Sequence, residues 1–170
     1  MNQLNLYSKS FFKPNNKLKF DFHLSKSYLT SRQIQFRMAS KINRTLIKKY
    51  DLAVGTFYFY ENFMVSEAKE GVAVSFENAK EMLELAKMHY GKTTPFVYIS
   101  NRKNSYSFNP TAHFKTTAMF PNLKGFGVVT YDSMNKEIAQ MEQSFFKNPV
   151  NIFNSLDDAI NWVEDLIMMD

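Results

Sequence analysis

Residues 75–99 read SFENAKEMLELAKMHYGKTTPFVYI, and this stretch decides the fold class. Its apolar residues recur at helical spacing, Ser75 is a suitable N-cap, and Gly91 is a suitable C-terminal stop, so it predicts a helix over residues 75–90. The apolar run over residues 96–99 has the composition of a buried central strand. A helix followed at once by a buried strand is typical of an α/β domain.

The flanking segments continue this alternation of strands and helices. Before the helix, the pattern predicts strands over residues 52–60, 63–67 and 72–74, with a hairpin turn at residues 61–62. After the buried strand it predicts a polar loop (101–108), a helix (110–119), a strand (125–130), a helix (133–146), a strand (151–153) and a last helix capped by Ser155. We therefore predict an α/β fold in the order β-β-β-α-β-α-β-α-β-α, with a mixed sheet of about five strands packed against about four helices.

Composition limits the class of protein. A chain of 170 residues with 45% hydrophobic and 16% aromatic content can bury one core. Its apolar runs fall short of the roughly 20 residues that span a bilayer, and residues 1–14 do not resemble a secretory signal. The chain has no cysteine, which excludes disulfides and cysteine nucleophiles and favours the cytoplasm.

The net charge of +5 is unevenly distributed along the chain. Residues 1–50 carry eleven basic and one acidic side chain, a net +10, whereas the remainder carries ten basic and fifteen acidic, a net −5. We interpret residues 1–48 as a basic, disordered extension and residues 49–170 as the domain. Met38 opens a stretch suited to a translation start, which would remove residues 1–37. If translated, the extension offers an alternative function, binding to nucleic acid or a membrane surface, with nucleic acid the less favoured partner.

The order of elements, together with Phe153, Ala159 and Trp162 near the end of the chain, resembles a known family. It is similar to STAS-like proteins related to anti-sigma-factor antagonists, especially the SpoIIAA-like branch, whose shape is compared with CRAL-TRIO domains. The resemblance covers about residues 50–166, and residues 98–107 resemble a stretch of uncharacterised proteins from the Bacteroidetes group. It implies a STAS-like fold and a regulatory role through a protein partner.

The resemblance also suggests where a phosphorylation switch would lie. Anti-sigma antagonists place an Asp-Ser pair at the start of the helix that follows the buried strand, and a kinase phosphorylates that serine. The matching stretch here is Asn109-Pro110-Thr111, in which proline takes the phosphoacceptor position and asparagine replaces aspartate. The family's switch is therefore not carried over, and Ser105 and Thr111 remain as phosphorylation candidates.

The predicted loop after the buried strand holds the candidate binding residues, which are Asn101, Arg102, Asn104, Ser105 and Tyr106. Open α/β sheets tend to bind ligands at this edge. Arg102 would supply a planar donor and Tyr106 an aromatic wall, with His113 of the short helix near them. The alternative is a connection whose Asn and Ser residues satisfy their own backbone.

The sequence does not support catalysis. The histidines at 23, 89 and 113 lack metal-ligand spacing, His89 reads as a partner for the end of its helix, and no phosphate-binding loop is present. We predict a non-enzymatic regulatory or protein-interaction module without metal or cofactor, and its oligomeric state stays open. The alternative is a carrier of a small molecule or lipid in a pocket lined by residues such as Met119, Phe120, Phe145 and Phe146.

Overall fold

A computed structural model of the chain describes residues 42–109 and 112–168, and of residues 112–114 the backbone alone. In chain order the strands are β1 (Lys48–Asp51), β2 (Gly55–Phe59), β3 (Phe63–Ala68), β4 (Ala73–Val74), β5 (Phe96–Arg102), β6 (Ser107–Phe108), β7 (Leu123–Thr130) and β8 (Val150–Phe153). The helices are α1 (Lys80–Tyr90), α2 (Ala112–Met119), α3 (Ser133–Glu142) and α4 (Leu156–Met168), and a short 3-10 helix (Gln143–Phe145) follows α3.

The strands form one large mixed sheet and one small one. The large sheet has the order β1-β2-β3-β5-β7-β8, in which β1, β2 and β3 pair antiparallel while β3, β5, β7 and β8 pair parallel. β4 and β6 form a separate two-stranded parallel sheet. The α/β fold class, with a mixed sheet and four helices, is confirmed.

Helices cover both faces of the large sheet. Alternate residues of β5 point to opposite faces: Phe96 packs with residues of α1, whereas Val97 and Ile99 pack with residues of α4. The ring of Tyr90, at the end of α1, stacks on that of Phe96 with 4.1 Å between centroids. The run that the sequence predicted as a central strand therefore lies inside the sheet and supplies both halves of the core.

The first strand of the sheet was missed by the sequence analysis. Residues 48–60, from which one strand was predicted over 52–60, form two strands with a turn at 52–54 between them. β1 lies at the edge, and its charged residues are exposed while Tyr50 is half-buried, so it lacks apolar alternation. Ile42 is buried in the same apolar cluster as Phe63 and Val65, so the folded domain extends N-terminally of the predicted boundary at residue 49. The remaining predicted extension, including Met38, lies outside the described residues.

Three other predicted bounds also differ from the structure. The first helix begins later than predicted, since Ser75 and Asn78 bond to each other's backbone N–H in a turn that precedes it and α1 begins at Lys80. The predicted polar loop over 101–108 is shorter, since Asn101 and Arg102 belong to β5 and residues 107–108 form β6. The predicted helix over 133–146 ends as α3 at residue 142. Gly91, at φ +54°, ends α1 as predicted.

Gly55 pairs with Ala68 in the register of β2 and β3, and it lies close to the β3 backbone. A Cβ at Gly55 would lie 2.5 Å from the carbonyl oxygen of Glu67, a backbone atom that cannot turn aside. We expect Gly55→Ala to lower the free energy of unfolding by about 2 kcal/mol or more, as overpacking does. Gly127→Ala is the matched control, because its nearest contact is the Ile99 side chain at 3.4 Å, and it should stay within about 1 kcal/mol of wild type. Urea unfolding measures both, and equal effects would contradict the register.

His89 gives the stability a pH dependence. Its ring stacks on Phe59 with 4.4 Å between centroids, and its Nε2 lies 3.2 Å from the Tyr50 hydroxyl. Burial lowers the pKa of His89 below its ordinary value of 6.5, which favours the neutral ring. His89 lies in the last turn of α1, as the sequence interpretation has it, and there its ring is half-buried.

Between pH 7.5 and 5.5 we expect wild-type protein to lose more stability than His89→Gln. The unfolded chain binds a proton at His89 more readily than the folded chain does, so stability falls as the pH decreases through about 6.5. Urea midpoints at the two pH values measure the effect. The histidines at 23 and 113 are present in both proteins, so the difference isolates His89, and parallel declines would contradict its burial.

Candidate functional site

The candidate residues lie where parallel strands end at one edge of the sheet. β3, β5 and β7 run in the same direction, and their register places Ser66 beside Ser100 and Arg102 beside Thr130. Successive residues of β5 point to opposite faces, so Asn101 and Arg102 enter different surroundings although they are neighbours in the chain.

Asn101 is the centre of a hydrogen-bonded network on one face. It is 1% exposed, its Nδ2 donates to Glu67 Oε1 at 2.7 Å, and its Oδ1 accepts from the Tyr131 hydroxyl at 2.7 Å. Lys103 Nζ lies 2.6 Å from the same Glu67 oxygen, and this bond raises the pKa of Lys103. Both polar groups of the Asn101 side chain therefore have internal partners, and one of them holds Tyr131 in place.

Arg102 forms a buried ion pair with Glu142, the last residue of α3, on the other face. The two side chains are 7% and 13% exposed, and the guanidinium lies over the Tyr106 ring, 5.7 Å from its centroid. Burial alone would lower the pKa of Arg102, but the Tyr106 hydroxyl and the Glu142 carboxylate together raise it. Arg102, which was predicted as a planar donor for a partner or ligand, uses one of its donors to join the sheet to α3.

The short loop between β5 and β6 is tied to the turn before β4. Asn104 Nδ2 donates to the Ala68 carbonyl at 2.8 Å, and the backbone N–H of Ser105 donates to Glu70 Oε2 at 2.8 Å. The Ser105 carbonyl accepts from the N–H of Gly71 at 2.7 Å. Ser105 is exposed, but a phosphate there would meet the Glu70 carboxylate, and like charges repel.

The remaining candidates come from the short helix. Thr111 lies outside the described residues, and His113 lies in α2, where the structure describes its backbone alone. Their assigned roles stay predictions.

A cavity of about 100 Å³ lies between the sheet and α1. Its lining is mainly apolar and includes Phe57, Met64, Leu83 and Phe120, the last of which was a sequence candidate for lining a pocket. A lipid requires a much larger space, since pockets for drug-sized ligands measure about 300–1,000 Å³. The cavity therefore fits small molecules better than the lipid that the sequence analysis kept as an alternative.

An apolar stripe on α3 was not among the residues predicted from the sequence. Met134, Ile138 and Met141 are 67%, 42% and 74% exposed, and their spacing of four and three residues places them on one line along the helix. Tyr131, 54% exposed, precedes them. The spacing is visible in the sequence, but the same spacing ordinarily marks the core side of a helix, so exposure had to come from the structure.

Comparisons with known proteins give one distant match. No protein-family model matches the chain, and no curated protein is detectably similar in sequence. The chain is similar to the crystal structure of an uncharacterised protein of the DUF3478 family with a SpoIIAA-like fold, from Shewanella loihica PV-4. The two share 12% identity, the match covers 73% of this chain and 99% of the other, and the TM-score is 0.47. A match at this level says nothing about ligands or partners.

The ion pair of Arg102 and Glu142 can be tested by removing one charge and then both. Glu142→Gln leaves a buried guanidinium without its counter-charge, and we expect it to lower the free energy of unfolding by about 3–5 kcal/mol. The double variant Arg102→Met with Glu142→Leu removes both charges and should recover most of this loss. Urea unfolding measures each variant.

The exposed pair of Lys87 and Glu84 provides a matched control for this experiment. Its side chains are 43% and 68% exposed, so Glu84→Gln should change stability by less than about 1 kcal/mol. A Glu142→Gln variant that is as stable as the Glu84→Gln variant would contradict the burial of the Arg102 ion pair.

Proposed function

We propose that this protein is a non-enzymatic regulatory module of STAS-like type that acts in the cytoplasm by binding another protein. The observation that carries the proposal is the exposed stripe of Met134, Ile138 and Met141 on α3. Contiguous apolar surface that is not buried in the monomer is a mark of interaction sites. We call these three residues, together with Tyr131, the α3 surface.

Other residues of α3 and its cap hold the helix against the rest of the domain. Asp132 caps the first turn, with its Oδ1 accepting from the Asn135 N–H at 2.8 Å. Ala139 is buried, and Glu142 binds Arg102 at the far end. A helix fixed at both ends and in the middle loses little further freedom on binding, which favours affinity.

The chemistry of the α3 surface indicates the kind of partner. Apolar residues spaced along one line of a helix are the anchors used when a helix enters a hydrophobic groove of a partner. Methionine side chains are flexible and polarisable and adapt to irregular apolar surfaces. A cleft lined by Tyr131, Asp132 and Lys136 lies at the start of α3 and offers polar contacts at the rim.

The polar residues near the sheet edge support a non-enzymatic role. Asn101 forms hydrogen bonds with Glu67 and Tyr131, and Arg102 forms an ion pair with Glu142. Within residues 42–109 and 112–168, no three His, Asp or Glu side chains converge as they would at a metal centre. No helix in this part of the chain is long and apolar enough to cross a membrane.

Photo-crosslinking in the protein's own host tests the proposed surface. A photo-reactive phenylalanine analogue at position 141 of the full chain should form one discrete adduct with a different protein. Adding Ile138→Glu to the same chain should weaken binding at least about tenfold, because it brings a charge into an apolar interface. Adduct yield by immunoblot and adduct identity by mass spectrometry provide the readout.

Met88 is the matched control, because it is a methionine of α1 that is 65% exposed. The same photo-reactive residue at position 88 should not form that adduct, and Met88→Glu should leave the adduct at position 141 intact. The proposal fails if both positions capture the same proteins, if the adduct survives Ile138→Glu, or if the captured protein is a second copy of this chain.

A further inference from the structure

The cavity between the sheet and α1 has a polar end. The Ser66 Oγ lies 2.6 Å from the Tyr98 hydroxyl, and the Ser100 Oγ lies 2.8 Å from the Tyr106 hydroxyl. Ser66, Tyr98 and Tyr106 line the cavity, whereas most of the other lining residues are apolar. Such a lining, apolar with a few convergent polar groups, is characteristic of small-molecule sites.

A second, smaller cavity of about 30 Å³ adjoins this end. The two cavities share Tyr98, Tyr106, Phe108 and Phe126 as lining residues, and the smaller one also reaches Arg102. The Nε of Arg102 is buried and donates no hydrogen bond to any of the described atoms. A buried donor without a partner is uncommon in native proteins, and an acceptor oxygen of a ligand would satisfy it.

The distribution of charge at the polar end of the cavity favours an uncharged ligand. Arg102 is the one charged residue among the described residues that line the two cavities, and Glu142 already neutralises it. Burial raises the pKa of Tyr98, so its hydroxyl stays neutral. An anion or a cation would lose its hydration here without gaining a free counter-charge.

We propose that the two adjoining cavities form a binding site for a small uncharged molecule with an apolar body of about one ring and a single hydroxyl or carbonyl group. The body would lie among side chains such as Phe57, Met64 and Leu83, and its oxygen would face Tyr98, Tyr106 and Arg102. The volumes of about 100 and about 30 Å³ set the size, since an engineered cavity of about 150 Å³ in another protein binds benzene.

Phenol and toluene are matched probes, because they have similar shapes and differ in the hydroxyl group. Titration of the full chain, followed by NMR, should show saturable binding of both. Contacts between the phenol ring protons and the methyl groups of Met64 and Leu83 should appear as intermolecular NOEs. Absence of saturable binding by phenol, or NOEs confined to surface residues, would overturn the proposal without reliance on any variant.

Variants of the hydroxyl groups test the polar end. Ser66→Ala combined with Tyr98→Phe should weaken phenol binding about tenfold, the effect of one or two lost hydrogen bonds, and leave toluene binding nearly unchanged. Tyr131→Phe removes a hydroxyl outside both cavities and should leave the affinity for phenol unaltered. An equal loss for phenol and toluene would show that the polar groups do not select the ligand.

A filling variant tests the location. Ala86 lines the cavity from α1, so Ala86→Leu places three additional carbons in the space and should abolish binding of both probes. Ala118→Leu makes the same change at an exposed position of α2 and should preserve binding. Binding that survives Ala86→Leu would overturn the proposal. The outcome is independent of the α3 surface, because neither position belongs to it.

Discussion

The ion pair between Arg102 and Glu142 is the constraint on which the rest of this edge of the molecule depends. A guanidinium that is 7% exposed is compatible with folding only when its charge is compensated nearby. The compensating carboxylate comes from the end of α3, forty residues further along the chain. The pair therefore fixes how the end of α3 lies against the sheet, while Met134 and Met141 of the same helix stay exposed.

Two neighbouring residues of β5, Asn101 and Arg102, make different contacts because the strand is pleated. Asn101 points to one face, where it binds Glu67 and receives the Tyr131 hydroxyl, while Arg102 points to the other and binds Glu142. Consecutive residues of one strand thus bind Tyr131 of the α3 surface and Glu142 at the end of α3. Arg102 also lines the smaller cavity, so the residue that binds the end of α3 also belongs to the proposed ligand site.

Several elements could be predicted because their signals are local. The helical spacing before Gly91, the apolar run that became β5 and the Ser155 cap before α4 each depend on residues a few positions apart. β1 could not be predicted, because an edge strand of charged residues has no apolar alternation and is stabilised by pairing with β2. Ser75 was predicted to begin the helix because a serine side chain accepts a hydrogen bond from a nearby N–H both in a turn and at the start of a helix.

The sequence by itself determined the α/β class, the order of most strands and helices, and the polar character of residues 101–107. The tertiary structure alone decided what those polar residues do: Asn101 and Arg102 became internal contacts, and the exposed apolar residues turned out to lie on α3. The spacing of apolar residues shows which of them share one face of a helix or strand, but it does not show which face packs against another element. That choice depends on partners thirty or forty residues away, such as Tyr131 and Glu142, and the chain brings them together through its fold.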